Sequence, residues 1–432
     1  MSIELPIILD LAKLLVHETT LSVFNIFLFP VIFFSVLFYI MAFNGLFSKH
    51  KRVRLPEISN WPMVTIQIPT FNEPVAVRCA KHCLNLDYPK NKFQIIIGDD
   101  STDENTSEII DDFASKHGNK IKITRRGTNS GYKAGNLNYM LNYSNGEIIV
   151  IFDSDFIPPK NFLKKIVTPF VLDKNVGCVQ AKWDYLNIGQ NIVSKLASTI
   201  IMVYQNLLAM VNAKLGVSLL FGSGEAVRKD LIKKLGGWQE GSLTEDVEFS
   251  LRILKSNHKI VYLPDVEVFG EVPFTLKGLK IQQKRWAYGN IKAFLDHYRS
   301  ILFGKFSFLQ RFMLIFTLLG YASTFFIVVF TITGILSFAT GVPTPIDIAK
   351  FTSQTLSYFI YTSGFITASL VALSKDSKIS MFIPVFLSSL TIGFLVAFSV
   401  AKGIFNALLG RRMPWTTIQK SGNNSFASRK IL

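Results

Sequence analysis

Cysteine and acidic residues are scarce in this chain of 432 residues. It has three cysteines, and its 30 Asp and Glu are outnumbered by 46 Lys and Arg, which leaves a net charge of +16. So few thiols (Cys79, Cys83 and Cys178) fit a reducing compartment and exclude a disulfide-stapled fold. Cys79 and Cys83 are four residues apart, but no second Cys or His pair completes a zinc site, so we interpret them as helix packing.

Charge is missing altogether from four long apolar segments. These segments are residues 19–48, Phe312–Ile346, Phe351–Ser374 and Ile379–Ala401. Each exceeds the roughly 20 residues that an α-helix needs to cross a bilayer, and buried helices of soluble proteins rarely run so far without a charge. We therefore expect an integral membrane protein with about four spanning helices, one before and three after a polar middle region.

A cleaved signal peptide is not expected at the N-terminus. The residues before the first apolar run are acidic (Glu4, Asp10 and Glu18), and no small-residue cleavage site follows that run. The basic cluster Lys49–Arg54 predicts an outer N-terminus and a cytoplasmic middle region. The same charge rule conflicts with Arg411 and Arg412. If the middle region is cytoplasmic, three later crossings leave these two arginines outside, unless one of the later segments is doubled or re-entrant or the rule fails here.

The excess of positive charge predicts an anionic partner. No nucleic-acid-binding motif is present, and the basic residues are spread beside the apolar segments. Membrane lipids of an anionic leaflet and phosphate-bearing substrates therefore explain the charge better than a nucleic acid does.

Short β-rich runs alternate with amphipathic stretches between Val64 and Tyr262. Strands are predicted at Val64–Ile68, Phe93–Ile97, Lys120–Thr124, Ile148–Phe152 and Gly177–Ala181. Helices are predicted at Pro74–Asn85, Ser107–Lys116, Ala134–Tyr143 and Asn161–Leu172. This alternation predicts an open, mostly parallel α/β sheet, in which ligands bind at the carboxyl ends of the strands. Four polar motifs fall at that edge: Pro69–Glu73, Asp99–Thr102, Lys133–Asn136 and Asp153–Asp155.

Acidic residues at these strand ends offer two kinds of chemistry. Asp153 and Asp155 follow an apolar strand, and their carboxylates are suited to a Mg²⁺ or Mn²⁺ ion that also binds a diphosphate, although solvated loop acids are the alternative. Asp99 and Asp100 can accept hydrogen bonds from a nucleobase or ribose, or else belong to a turn or helix cap.

Two later motifs add a base and a flexible loop. Thr244-Glu245-Asp246 begins a predicted helix, where capping explains one acid and leaves a second to act as a general base. The loop Phe221–Gly224, with Gly222 and Ser223, allows the main chain to approach a sugar or forms a plain turn.

The pentad Gln282–Trp286 places an arginine beside a tryptophan. The Arg285 guanidinium can donate two parallel hydrogen bonds to a diphosphate, and the Trp286 indole can stack on a sugar ring. The surrounding stretch Phe274–Tyr298 mixes apolar and basic residues, which is typical of a helix that lies in the membrane interface.

Taken in order, Asp99-Asp100, Asp153-x-Asp155, Thr244-Glu245-Asp246 and Gln282-x-x-Arg285-Trp286 resemble the membrane-embedded, inverting family-2 glycosyltransferases. That family includes cellulose, chitin, hyaluronan and mannan synthases as well as ceramide and diacylglycerol glucosyltransferases. The resemblance covers about residues 60–300. It implies a Rossmann-like GT-A α/β domain on the cytoplasmic side, inserted between transmembrane helices.

The resemblance also implies a role for each motif residue. Thr70, Glu73 and Asp100, with Asp99 and Lys133 nearby, are expected to hold the uridine nucleotide. Asp153 and Asp155 are expected to face the diphosphate and the Mg²⁺ or Mn²⁺ ion, with Asp155 the main ligand. Asp246, beside Glu245, is expected to be the catalytic base. Gln282 and Arg285 are expected to bind the diphosphate. Trp286, Gly222 and Ser223 are expected to bind the acceptor.

The expected protein is a UDP-sugar-dependent inverting hexosyltransferase that extends a β-linked polysaccharide; the alternative is a single addition to a membrane lipid. Its expected divisions are residues 1–48, 49–272 (the GT-A domain), 273–308 (interfacial helices), 309–410 (about three spans) and 411–432 (a polar tail). Residues 411–420 only loosely resemble the gating segment of polymer synthases. A non-catalytic scaffold or channel is disfavoured because it has no need of Asp155 or Asp246.

Overall fold

The computed structural model describes residues 4–48, 56, 58–341 and 347–422. It contains a mixed seven-stranded sheet with its covering helices, called the sheet domain below, and a set of apolar helices packed against one end of it. The basic cluster Lys49–Arg54 and the tail beyond Gly422 lie outside the described residues, so the orientation inferred from that cluster stays a prediction.

The sheet has the strand order β3-β2-β1-β4-β6-β5-β7. Its strands are β1 (Val64–Thr70), β2 (Phe93–Asp99), β3 (Ile121–Thr124), β4 (Ile148–Ile151), β5 (Val176–Tyr185), β6 (Glu225–Arg228) and β7 (Lys259–Gly270). All pairs are parallel except those of β6, which runs antiparallel to both neighbours. Runs of Ile and Val are buried on both faces of the central strands, as expected for a sheet covered on two sides.

Helices cover both faces of this sheet. They are α2 (Ala76–Leu84), α3 (Glu104–Ser115), α4 (Tyr132–Leu141), α5 (Phe162–Leu172), α8 (Lys229–Lys234) and α9 (Glu245–Lys255). Local sequence sets where they begin: the Asp103 side chain, for example, accepts a hydrogen bond from the Thr106 N–H and caps α3. The five predicted strands and four predicted helices are confirmed to within a few residues at each end.

Strands β6 and β7 were not predicted. β6 is only four residues long and begins with a glutamate, and β7 contains a proline and two acidic residues. Such short or interrupted patterns carry a weak periodicity signal, and the register of β5 against β7 shifts twice along their length.

The apolar helices flank the sheet domain in sequence. They are α1 (Glu4–Phe47), α6 (Ile192–Val203) and α7 (Ala209–Leu215) joined by a π-helical turn, α11 (Phe308–Leu319), α12 (Ala322–Thr340), α13 (Ile348–Thr362), α14 (Gly364–Lys375), α15 (Phe382–Ser388) and α16 (Phe394–Leu408). Within the described ranges, four continuous helices are long and apolar enough to cross a membrane, and α13 with α14 forms a further pair bent by 56°. The length and composition of these helices are those of a membrane protein.

Two of these helices differ from the expected spans. The predicted span Phe312–Ile346 is divided, because α11 ends at Leu319 and a turn at Gly320 separates it from α12. The candidate span Ile192–Leu215 was not predicted, and most of it is buried between the sheet domain and the other helices. The predicted interfacial helix is α10 (Leu276–Phe303), which extends five residues beyond its expected end.

The last apolar helix, α15–α16, contacts the sheet domain or α10 at both ends. Before its start, Asp376 pairs with Lys182 at 2.5 Å. Near its end, Gly403 packs so closely on α10 that an added Cβ would lie 2.5 Å from the Lys284 carbonyl oxygen. By length this helix can cross a membrane, and its second half packs on α10 and α12. The side of a membrane that Arg411 and Arg412 face stays a prediction, and so does their conflict with the charge rule.

Candidate active site

A single cleft lies at the carboxyl ends of β1, β2 and β4, between α9, α10 and the segment 411–422. The predicted site residues that line it are Thr70, Glu73, Asp100, Lys133, Asp153, Asp155, Gly222, Glu245, Asp246, Gln282, Arg285 and Trp286. Asp99 and Ser223 are the two predicted residues that do not line it.

The two aspartates after β4 are held in different ways. The Asp153 main-chain N–H donates to the Ser223 hydroxyl at 3.0 Å, and Asp153 Oδ1 lies 2.7 Å from Lys133 Nζ. The Asp155 side chain is almost completely buried, and its Oδ2 accepts a hydrogen bond from the Glu271 N–H at 3.1 Å. Ser223 is thus fully buried and orients Asp153, so its predicted place on the acceptor side is not supported by its position.

Lys133 connects three loops of the cleft. Its ammonium contacts Asp153, Glu245 Oε1 at 3.2 Å and the Gly222 carbonyl oxygen at 2.5 Å. Burial alone would lower the pKa of Lys133, but the carboxylates of Asp153, Glu245 and Glu225 raise it above its usual value. The ammonium therefore stays charged and fixes the Asp153 and Glu245 carboxylates relative to each other.

Asp246 lies in the first turn of α9, facing Gly222. Burial, reinforced by the charge of Glu245 and opposed by that of Lys133, raises the pKa of Asp246 to about 7. A carboxylate with a pKa near neutrality is suited to proton transfer. Glycine at 289 brings α10 close to this turn, because a Cβ there would lie 2.3 Å from the Thr244 side chain.

Glu225, at the start of β6, is a buried acid of the site that was not predicted. It accepts the Gly222 N–H at 2.9 Å, and burial raises the pKa of Glu225 to about 8 despite the nearby charge of Lys133. Its only sequence signal is an acid three residues after Gly222, at the start of a short buried strand.

Asp100 and Asp99 have different surroundings although they are adjacent. Arg126 donates to both oxygens of Asp100, at 3.1 and 2.5 Å, and this carboxylate lines the cleft. The Asp99 carboxylate instead accepts hydrogen bonds from Ser101, Ser107 and Arg125. Burial opposes these contacts, but together the hydrogen bonds lower the pKa of Asp99. Asp99 therefore acts in shaping the loop rather than in the cleft.

Arg285 and Trp286 enter the cleft from α10. The Arg285 guanidinium lies 4.1 Å from the centre of the Trp415 ring, and among the described residues its Nε has no hydrogen-bond partner. A buried guanidinium without an anionic partner is poised to bind an anion. Trp415 also stacks on Tyr132, with ring centres 6.0 Å apart.

The segment 411–422 enters the cleft, although it was expected to be part of a loose polar tail. Lys420 Nζ lies 2.8 Å from Asp155 Oδ2. The Glu271 carboxylate accepts the N–H groups of Ser421 and Gly422 at 2.6 and 3.1 Å, and it pairs with Arg78 at 2.8 Å. Glu271 and Arg78 were not predicted, because they belong to no recognised motif. Trp415 and Lys420 lie in the segment 411–420, whose resemblance to the gating segment of polymer synthases is only loose, and no site role was predicted for them.

The donor set at Asp153 and Asp155 fits a hard divalent cation shared with a ligand. Among the described residues no group of three or more His, Cys, Asp or Glu is arranged to hold a metal ion. The two carboxylates, which are separated by one residue, supply fewer oxygens than the six that Mg²⁺ or Mn²⁺ prefers. The remaining ligands must therefore come from a bound diphosphate and water. The site already attracts a cation from the protein itself, since the Lys420 ammonium contacts Asp155.

Comparison with known proteins gives a consistent picture. Residues 62–289 match the model of the family described as glycosyltransferase like family 2, and residues 198–423 match that of cellulose synthase. The probable glycosyltransferase YdaM of Bacillus subtilis (strain 168) is 28% identical over 272 residues, which is 62% of this chain and 64% of that protein. The match thus spans less than two thirds of this relative's length.

Among solved structures, the mannosyltransferase PcManGT from Pyrobaculum calidifontis, in complex with GDP-Man and Mn²⁺, is similar in fold. Its TM-score is 0.62 at 19% sequence identity, and the alignment covers 87% of this chain and 99% of that one. At this identity the likeness shows the fold alone: a GT-A-like mixed α/β domain.

Proposed function

Because this chain belongs to glycosyltransferase family 2 and its second half matches the cellulose synthase model, we propose that it moves a hexosyl unit from a UDP-sugar to a growing β-linked polysaccharide. One observation carries this proposal: Asp153, Asp246, Arg285 and Trp286, which come from three distant parts of the sequence, line the same cleft. The cleft is also lined by Ile201 of the apolar helix α6.

The reaction we propose is a direct displacement at the anomeric carbon. The Asp246 carboxylate takes the proton of the acceptor hydroxyl as this oxygen forms a bond to the anomeric carbon. The bond from that carbon to the diphosphate breaks, and UDP leaves with the bonding electron pair. Attack from the face opposite UDP inverts the configuration, so an α-linked donor gives a β-linkage.

The donor side of the cleft supplies binding and charge. Asp100, held by Arg126, together with Thr70 and Glu73 is suited to the uridine. Gln282 and Arg285 are suited to the diphosphate, whose developing charge the guanidinium stabilises. Asp153 and Asp155 would hold Mg²⁺ or Mn²⁺ together with the diphosphate, and when bound this ion supplies positive charge that stabilises the leaving group.

The acceptor side is formed by aromatic and apolar groups. Trp286 lines the cleft from α10. Gly222 lines it in contact with Lys133, and an added Cβ at Gly222 would lie only 3.3 Å from Asp246 Oδ2. A bare main chain at position 222 leaves room for a sugar next to the base. We propose residues 49–272 as the cytoplasmic catalytic domain and 273–308 as its interfacial connection to the membrane helices.

The proposal is tested by the size and nature of the product. The full chain, in lipid nanodiscs with Mg²⁺ or Mn²⁺, is supplied separately with radiolabelled UDP-glucose, UDP-N-acetylglucosamine and GDP-mannose. We expect a ladder or polymer from a UDP-sugar, and none from the Asp246→Asn variant. Transfer from GDP-mannose alone would contradict the choice of donor, and UDP release without any glycosylated product would contradict a transferase.

A single addition to a membrane lipid is the second candidate. Ile201 of the apolar helix α6 is one of the residues that line the cleft, and an apolar helix at the cleft suits a lipid acceptor. The same experiment separates the two, since this candidate gives one labelled, organic-extractable glycolipid and no ladder.

A further inference from the structure

The loop Phe221–Gly224 is held in one conformation by two buried side chains. The Phe221 N–H donates to Gln180 Oε1 at 2.8 Å, and the Gly222 N–H donates to Glu225 Oε2 at 2.9 Å. Gln180 and Glu225 are 0% and 1% exposed. Among the described residues, neither of them lines the cleft, so they hold the loop from behind.

The second half of the loop is held as well. The Ser223 carbonyl oxygen accepts hydrogen bonds from Gln180 Nε2 at 2.9 Å and from Trp183 Nε1 at 2.8 Å. The Gly224 N–H donates to the carbonyl oxygen of Ile151, at the end of β4, at 2.9 Å. Every residue of the loop therefore has at least one main-chain hydrogen bond.

Gly222 needs these contacts because its own conformation is not self-supporting. Its φ of +88° lies in a region that glycine reaches freely, but fixing a glycine there costs more chain entropy than fixing another residue. Its main chain is also next to the base, since an added Cβ would lie 3.3 Å from Asp246 Oδ2. Whatever fixes Gly222 therefore fixes one wall of the space in which an acceptor hydroxyl meets Asp246.

We propose that Gln180 and Glu225 are positioning residues that favour the sugar acceptor over water as the nucleophile. This inference rests on the proposed function, in which Gly222 borders the acceptor. Misplacement of a bound reactant by about 1 Å costs about 10²-fold in rate, so an acceptor sugar depends on a rigid wall. Water is small and mobile and does not. In the competing hydrolysis the water oxygen bonds to the anomeric carbon, Asp246 takes a proton from it, and UDP leaves with the bonding electron pair.

Glu225 can hold the loop without its charge. Burial raises the pKa of Glu225 to about 8, although the charge of Lys133 lowers it. The charges of Asp246 and Glu245 act in the same direction as burial. At pH 7 the carboxyl group is therefore about 90% protonated, and an amide of the same shape can accept the Gly222 N–H in its place. Glu225→Gln is thus the conservative variant, whereas Glu225→Ala removes the acceptor.

The test measures transfer and hydrolysis in the same reaction. The full chain in lipid nanodiscs is supplied with radiolabelled UDP-glucose or UDP-N-acetylglucosamine, and glycosylated product and free labelled sugar are separated and counted. Glu225→Ala should lower transfer at least about tenfold and hydrolysis less than about threefold. Gln180→Met, which removes the loop contacts at similar volume, should behave in the same way. Glu225→Gln should keep both rates within about threefold of those of the unchanged protein.

Thr65→Val is the matched control. The Thr65 hydroxyl is equally buried and accepts the N–H of another glycine, Gly146, at 2.8 Å. These two residues lie at the amino ends of β1 and β4, at the edge of the sheet opposite the cleft. The variant removes the same kind of contact and should leave the ratio of hydrolysis to transfer unchanged.

A second measurement uses the unchanged protein and so does not depend on how a variant folds. Amides that are held in hydrogen bonds exchange their hydrogen slowly with solvent. Hydrogen–deuterium exchange, read by mass spectrometry, should show Phe221–Gly224 protected at least about tenfold more than the exposed residues Gly127 and Thr128.

Three results would overturn the inference. The first is a change of transfer and hydrolysis by the same factor in Glu225→Ala and Gln180→Met, and the second is a loss in Glu225→Gln as large as that in Glu225→Ala. The third is exchange at Phe221–Gly224 as fast as at Gly127. If any of these occurs while the unchanged protein transfers sugar, only the role of the two side chains is wrong. If the unchanged protein yields no glycosylated product, the proposed function is wrong and this inference fails with it.

Discussion

Replacement of Asp246 by Asn, read across pH, is the sharpest test of the base. With a pKa of about 7, Asp246 is ionised to about 9% at pH 6 and about 91% at pH 8. A general base acts only when it is deprotonated, so the transfer rate should rise about tenfold over this interval. Asp246→Asn should lower the rate by a factor of about 10² to 10⁴ and abolish this rise, while UDP binding stays nearly intact.

The neighbours of Asp246 make the test specific. The charge of Glu245 raises the pKa of Asp246 and that of Lys133 lowers it. Glu245→Gln should therefore move the pH profile to lower pH, and Lys133→Met should move it to higher pH. Asp112→Asn is the control, because this acid is exposed on α3, where it pairs with Lys116 at the end of that helix.

The assay is the initial rate of radiolabelled sugar transfer from pH 5.5 to 9, with UDP binding followed separately by thermal shift. The reasoning is refuted if Asp246→Asn retains more than about a tenth of the rate at pH 8, since a general base contributes far more than that. If the transfer rate of Asp246→Asn still rises by the same factor between pH 6 and pH 8, the titrating group is another residue. If the pH profiles of Glu245→Gln and Lys133→Met move in the same direction, the electrostatic explanation is wrong.

Three further predictions concern binding and packing. Arg285→Lys should raise the donor KM about 10- to 100-fold in steady-state kinetics, because an ammonium cannot donate the two parallel hydrogen bonds of a guanidinium; an unchanged KM would contradict its role on the diphosphate. Lys182→Met should cost about 3–5 kcal/mol of stability by leaving Asp376 buried without its cation, and Lys182→Met with Asp376→Leu should recover most of the lost thermal stability in detergent. Gly403→Ala should lower the unfolding temperature by a clash with α10 worth about 1–3 kcal/mol, whereas Gly393→Ala, whose Cβ would meet only ordinary contacts at 3.5 Å, should not.

Much of the fold could be predicted because its signals are local. Runs such as Ile95–Ile97 and Ile148–Ile151 predict buried strands, and polar residues just after them predict the edge at which a site forms. Long charge-free runs predict apolar helices equally well. They do not tell whether such a helix crosses a membrane, lies on its surface or is buried in the protein, since packing partners decide this.

The sequence predicts the site where a motif marks the end of a strand or helix. It does not predict which of two neighbouring side chains faces the cleft. Asp99 ends β2 and Asp100 follows it; the Asp99 carboxylate is bound by Ser107 and Arg125, whereas that of Asp100, held by Arg126, lines the cleft. Ser223 has the chemistry to bind a sugar, but its hydroxyl is used by the Asp153 main chain. Glu271 owes its place to tertiary contacts that nothing in its local sequence indicates. For Lys420 the local sequence offers only the loose resemblance of residues 411–420 to a gating segment.

The three-way contact of Lys133 makes the two halves of the cleft thermodynamically interdependent. One ammonium divides its attraction among the Asp153 carboxylate, the Glu245 carboxylate and the Gly222 carbonyl group. A ligand that draws it toward one of them weakens its hold on the others, and reciprocity requires an equal free-energy effect in the reverse direction. If the proposed mechanism holds, nucleotide binding and the proton affinity of Asp246 are expected to be coupled through Lys133.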